Sequence, residues 1–122
     1  MTQISTKQYT INSVRTPLHD TGGESREVIL FLHGNPGSGH DWHDVMGRVA
    51  KHCRAIAPDM PGFGKADKPD DFNYTVEGYA EHIDALLKHI GVERVHLVLH
   101  DFGGPWGLAW AAMNPASVAS VS

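Results

Sequence analysis

The chain has 122 residues, enough for one small domain with a buried core. Apolar residues make up 41% and charged residues 20%, the balance of an ordinary globular protein. The formal net charge is −4 with no basic block, so the clustered Lys and Arg that phosphate contacts need are missing and no nucleic-acid partner is expected.

Apolar runs are far shorter than the roughly 20 residues that span a bilayer, and no charged-then-apolar leader opens the chain. No membrane association is expected, and a cytoplasmic location is. Cys53 stands alone, so no internal disulfide can form, and its apolar neighbours predict a buried structural thiol in a reducing compartment.

In chain order, residues 9–14 and 15–20 read as two strands, followed by a turn at Thr21-Gly22-Gly23-Glu24. Residues 27–32 (Glu-Val-Ile-Leu-Phe-Leu) form a continuous apolar strand, which suits a sheet covered on both faces. His33-Gly34-Asn35-Pro36-Gly37 is a loop that neither helix nor strand tolerates. Asp41 is expected to cap the next helix, with Trp42, Val45, Met46 and Val49 on one face. A short apolar strand at 53–57 leads into a Pro-, Gly- and Asp-rich loop from 58 to 73.

Thr75 is expected to cap a long helix whose buried stripe runs Val76, Tyr79, Ala80, Ile83, Leu86, Leu87, Ile90, with Gly91 ending it. Another buried strand spans 95–99. Gly103-Gly104-Pro105 opens a helix through Met113, where proline is tolerated because first-turn N–H groups have no helical partner. Trp106 and Trp110, four residues apart, are expected to pack. Asn114-Pro115 stops the helix and a last strand begins at Val118. Strands alternating with helices imply a mostly parallel sheet with right-handed crossovers. A parallel strand left at the end of a chain exposes its backbone groups, so the sequence reads as truncated within its sixth strand.

Nine histidines invite a metal reading, but no pair has His-Glu-x-x-His spacing and no carboxylate accompanies them at ligand spacing. His40 and His43 share a helix face, as do His82 and His89 less closely; these are expected to be solvated surface. No metal or other cofactor is implied.

His100-Asp101-Phe102-Gly103-Gly104 directly follows a buried strand and opens a helix. Such a turn projects its apex above the carboxyl end of the sheet, where open α/β folds bind ligands. The helix N-terminus favours an anion there, so Asp101 is expected to be ionised. A simple helix cap is the plain alternative for an aspartate at this position. His100 alternates away from Asp101 and is a poor candidate base.

This segment resembles the nucleophile elbow of the α/β-hydrolase superfamily. Two others agree in order and spacing. His33-Gly34-Asn35-Pro36 resembles the oxyanion-hole loop after the third strand. Asp59-Met60-Pro61-Gly62-Phe63-Gly64-Lys65-Ala66-Asp67-Lys68-Pro69 resembles the loop after the fourth. Gly62 and Gly64 suit a tight turn, and Phe63 either lines the pocket mouth or anchors that turn. An aspartate at the elbow is similar to epoxide hydrolases and haloalkane dehalogenases, where a carboxylate attacks a saturated carbon and forms an alkyl-enzyme ester.

The resemblance implies Asp101 as nucleophile, the N–H groups of Asn35 and Phe102 as the oxyanion hole, and the side chains of Asn35 and Phe102 as substrate-contacting. The substrate implied is a small molecule. Two departures bear on it. Leu99 stands where the family usually has a small residue. Phe102 stands where both relatives commonly carry Trp, whose indole N–H helps hold a departing halide; this tilts the reading toward epoxides, while Asn35 resembles a halide-binding residue and tilts it back. The family's histidine base, its partner acid and its cap domain lie downstream of the elbow and have no counterpart in residues 1–122, which are therefore expected to be a partial core domain. An epoxide hydrolase-like enzyme, a haloalkane dehalogenase and a non-catalytic truncated protein of hydrolase fold are the competing readings.

Overall fold

The computed structural model describes residues 4–122. β1 (Ser5–Ile11) and β2 (Val14–Asp20) form an antiparallel hairpin with Ile11 opposite Val14. The turn between them is Asn12-Ser13, both at positive φ (47° and 70°). That backbone matches the twist of the flanking strands, and asparagine tolerates it better than most residues. A strand over 9–14 is thus corrected: it would run straight through this turn.

β3 (Glu27–Leu32) is followed by a 3-10 turn at Gly39–Trp42 and by α1 (His43–Val49). Ser38 caps the 3-10 turn, and Asp41 reaches back to the Ser38 N–H at 3.1 Å, completing a capping box. Asp41 is the closing residue of that box, three positions after Ser38, rather than the helix cap expected of it. Of the apolar face predicted for this helix, Met46 is fully buried while Val45 is exposed.

β4 (Arg54–Pro58) starts one residue later than expected. α2 (Val76–Ile90) follows the sequence closely: the Thr75 hydroxyl accepts the Gly78 N–H at 3.1 Å, and Gly91 terminates the helix in the left-handed conformation at φ 77°. β5 (Arg94–Leu99), α3 (Gly103–Met113) and β6 (Val118–Val121) complete the described elements.

The strands lie in the order β1-β2-β4-β3-β5-β6. β3 pairs in parallel with β4 and β5, and β5 with β6; β2 joins antiparallel at β4. α2 and α3 cover one face through Ile83, Leu86, Leu87, Trp106 and Trp110, packed on Val28, Leu30, Leu32 and Leu97. α1 covers the other, with Met46 on Phe31, Ala55 and Ala57. The alternation Leu30-Phe31-Leu32 across β3 is why both faces need a helix layer. Asp20, fully buried in β2, takes a two-pronged contact from Arg54 at 3.1 and 2.7 Å and ties the hairpin to β4.

Three histidines are buried, His82 among them against expectation. His82 is 3% exposed and meets the Thr16 hydroxyl at 3.0 Å. Its place on α2, three residues after Tyr79 and four before Leu86, puts it on the buried stripe. Burial pushes its pKa down to about 4, so it is neutral. His19 and His33 are buried too. His40 and His89 are exposed, as expected. Cys53 is only half-buried, and burial raises its thiol pKa, which keeps it protonated.

Candidate active site

β5 ends at Leu99 and α3 starts at Gly103, leaving His100, Asp101 and Phe102 to make the turn. Asp101 sits at φ 55°, a left-handed backbone that a non-glycine residue adopts at a cost of about 1–2 kcal/mol. The turn is held by close backbone approach. A Cβ on Gly103 would lie 2.6 Å from the Leu32 carbonyl oxygen and 2.8 Å from that of His33. A Cβ on Gly34 would overlap the Cβ of Asp101. Gly104 by contrast faces open space, so only the first glycine of the pair is demanded by crowding. Leu99, the branched residue where a small one is usual, fits because Gly107 leaves room: a Cβ there would meet the Leu99 side chain at 2.5 Å.

The Asp101 side chain is exposed, and its Oδ2 accepts the Asn35 N–H at 3.1 Å. That bond, and a second from the Phe102 N–H, hold its carboxyl below the usual carboxylate range. Asp101 is charged at neutral pH, as even an unshifted carboxylate would be, and both N–H groups lower its pKa further. The side-chain amide of Asn35 makes no hydrogen bond among the described residues. The Phe102 ring is 52% exposed and stacks at 6.4 Å on Trp106, which itself stacks on Tyr79 at 4.2 Å. Trp106 is thus packed, as expected, and carries the exposed ring of Phe102 at the elbow. Trp110 packs as well, and its indole N–H donates to Asp84 at 3.2 Å.

The Asn35 loop is positioned by two groups to which the sequence reading assigned no role. His33 is 1% exposed; its Nδ1 bonds the Gly34 carbonyl at 2.9 Å and its Nε2 accepts the Met60 N–H at 3.0 Å. Those partners require the neutral Nδ1–H form, and burial lowers the pKa in the same sense. Asp59 is 3% exposed and accepts the N–H of Gly39 at 2.7 Å, that of Lys65 at 3.0 Å and His19 Nε2 at 3.1 Å. Burial alone would raise its pKa, but these three bonds, His19 foremost, outweigh burial and lower it. Asp59 joins the loops after β3 and β4 to β2. The signal was present in the sequence as an aspartate at a strand end, three residues before a Gly-x-Gly turn.

Gly62 and Gly64 take φ +89° and +52°, and a Cβ on Gly64 would lie 2.6 Å from the Asp59 carboxylate. Phe63 packs edge-on against His33 at 5.1 Å, so it anchors the turn. On the other side of the loop, His33, Pro36, Asp41, Trp42 and His100 line a cavity of about 330 Å³. His100 faces Trp42 and makes no hydrogen bond to Asp101. Two histidine–carboxylate pairs exist among the described residues, His19–Asp59 and His96–Glu27; neither hydrogen-bonds to Asp101. No described helix is long and apolar enough to cross a membrane.

This arrangement has close relatives. A haloalkane dehalogenase of Agrobacterium fabrum is 36% identical over 116 residues, which cover 95% of this chain and 38% of that protein. A cis-3-alkyl-4-alkyloxetan-2-one decarboxylase of Xanthomonas campestris is 36% identical over 107 residues, 81% of this chain and 36% of that protein. The crystal structure of epoxide hydrolase VrEH1 from Vigna radiata superposes with a TM-score of 0.88 at 28% identity, covering 97% of this chain and 38% of that one. The chain spans less than two fifths of the length of each. Residues 27–122 match the family model of the alpha/beta hydrolase fold, from β3 through the Asn35 loop and the turn at Asp101, and the chain belongs to that family.

Proposed function

We propose that this chain carries the nucleophilic half of a hydrolase that opens epoxides through an alkyl ester of Asp101. One observation carries the reading: a strained, ionised aspartate at the elbow with its carboxylate on the N–H groups of Asn35 and Phe102. A carboxylate oxygen attacks a saturated carbon, the carbon–oxygen bond of the epoxide breaks, and its electron pair leaves on an alkoxide that takes a proton. No base is needed for this step. Water then attacks the ester carbonyl carbon of Asp101. The carbonyl oxygen becomes an oxyanion in the position where Oδ2 already accepts the Asn35 N–H, and each such donor is worth about 3–4 kcal/mol.

Hydrolysis of the ester needs a histidine base, and neither histidine–carboxylate pair reaches Asp101. The base, its acid partner and the cap over the substrate belong, in this reading, to the part of the fold that the relatives have beyond the matched region. The substrate is a small molecule, the location is the cytoplasm, and no cofactor takes part. A second reading, hydrolytic dehalogenation, is supported by the side-chain amide of Asn35, which makes no hydrogen bond among the described residues and so keeps a donor for a leaving halide. Phe102 supplies no such donor, which favours the epoxide.

Among the described residues no histidine hydrogen-bonds to Asp101, so an ester formed on Asp101 is expected to be trappable. Incubating the chain with an alkyl epoxide or a bromoalkane is expected to leave a stable adduct on Asp101. Peptide mass mapping locates it, and hydroxylamine removes it because it is an ester. An adduct on Asp101 from the bromoalkane only would move the assignment to dehalogenation. Labelling confined to Cys53, or equal labelling of the Asp101→Ala protein, would leave the non-catalytic reading standing.

A further inference from the structure

The paired histidines of the 3-10 turn and α1 remain outside the chemistry of Asp101. His43 Nε2 lies 2.7 Å from Nδ1 of His19 on β2. His40, three residues before His43, has its ring 4.4 Å from the His43 ring. His19 in turn holds Nε2 against the buried carboxylate of Asp59 at 3.1 Å. A cavity of about 470 Å³ opens over the group, lined also by Thr6, Gln8 and Lys65.

We propose that His19, His43 and His40 bind a divalent transition metal of borderline softness, Zn²⁺ or Ni²⁺. Imidazole nitrogens select such ions. A metal-bound histidine almost always gives its other ring N–H to a carboxylate, which fixes the tautomer and aims the lone pair. Asp59 already does this for His19: Nε2–H donates to the carboxylate, so Nδ1 presents a lone pair toward His43. One proton now lies between the two rings. On binding, that proton is relayed through water to Nδ1 of His43, the ring stays neutral, and the metal takes the proton's place at Nε2.

The geometric change is small. Metal–nitrogen bonds of about 2.0–2.1 Å in a tetrahedron set two ligand nitrogens about 3.3 Å apart, against 2.7 Å here. Among the described residues, no three His, Cys, Asp or Glu side chains are already set to hold an ion. The built part is the His19–His43 pair. On binding, the exposed His40 ring swings from its contact with His43 onto the ion, and solvent from the cavity takes the remaining position. Lys65 at the cavity wall opposes a cation, which places the ion at the imidazole end.

Titrating the chain with Zn²⁺ alone, followed by calorimetry and by histidine ¹⁵N chemical shifts, tests this. One ion per chain is expected, with the largest shifts at His19 Nδ1 and His43 Nε2. His43→Ala should weaken binding by about a hundredfold, and His40→Ala by about tenfold, in the range of losses seen when metal-site shells are disturbed. His52→Ala and His89→Ala should leave it unchanged. Shifts on other histidines, unchanged affinity in the His43→Ala protein, or no binding at millimolar Zn²⁺ would each overturn the proposal. The wild-type shifts decide the matter even if a variant fails to fold, and they do not depend on any role for Asp101.

Discussion

Asp59 and Asp101 both stand just beyond the carboxyl end of a parallel strand, both beside glycines, and both accept backbone N–H groups from a neighbouring loop. Each has its pKa lowered. Asp59 is buried and its carboxylate is used up by His19, Gly39 and Lys65, while Asp101 is exposed on a strained backbone with only the N–H groups of Asn35 and Phe102 beside it. Residue type and place in the fold are the same. Burial and partners separate an aspartate that joins loops from one whose carboxylate is left facing solvent.

The largest effect expected is on stability. Asp59→Ala strands three donors in the interior and should cost about 3–5 kcal/mol in urea unfolding. Asp101→Ala removes an exposed side chain and should stay within about 0.5 kcal/mol of wild type, while abolishing adduct formation. Equal losses in the two would erase the distinction.

Acid should sharpen it. Asp59 has a depressed folded pKa, so its contribution is complete above the unfolded carboxylate value of about 4 and is lost as pH falls through the lower folded value. The gap between wild type and Asp59→Asn should close only there. His82 dominates above that range. Its folded pKa of about 4 lies below the ordinary 6.5, so the unfolded chain binds the proton first, and stability drops between those pH values by up to about 3 kcal/mol. His82→Leu should flatten the urea midpoint from pH 7 to pH 4.5.

A smaller effect is expected from the backbone contacts. Gly103→Ala forces a Cβ against the Leu32 and His33 carbonyls and should cost about 1–3 kcal/mol; Gly34→Ala should do the same and also displace Asp101 from the Asn35 N–H. Gly104→Ala meets nothing and should fold as wild type does, with adduct formation retained. The smallest is the pH profile of alkylation, expected to be flat from pH 8 to about 5 and to fall only below the ordinary carboxylate range.

What could be read from the sequence was whatever short-range chemistry decides. Thr75 and Gly91 bound α2 because a cap needs only residues within one turn. The elbow was legible because a strand, an apical aspartate and a crowded Gly103 are consecutive. Asn12-Ser13 was as local as these, and Ser38 was the better cap, but each had a competing neighbour one to three residues away, and pairing register and the 3-10 turn chose between them. The histidines needed the tertiary structure. The same imidazole is solvated at His89, neutral beside Thr16 at His82, and bonded to Asp59 at His19, because what lies opposite a side chain is set by strands and helices far along the chain. Asp101 was visible by its position in the sequence, and its charge follows from its residue type; its aim comes from Asn35, 66 residues away along the chain, which only the folded sheet brings within 3.1 Å.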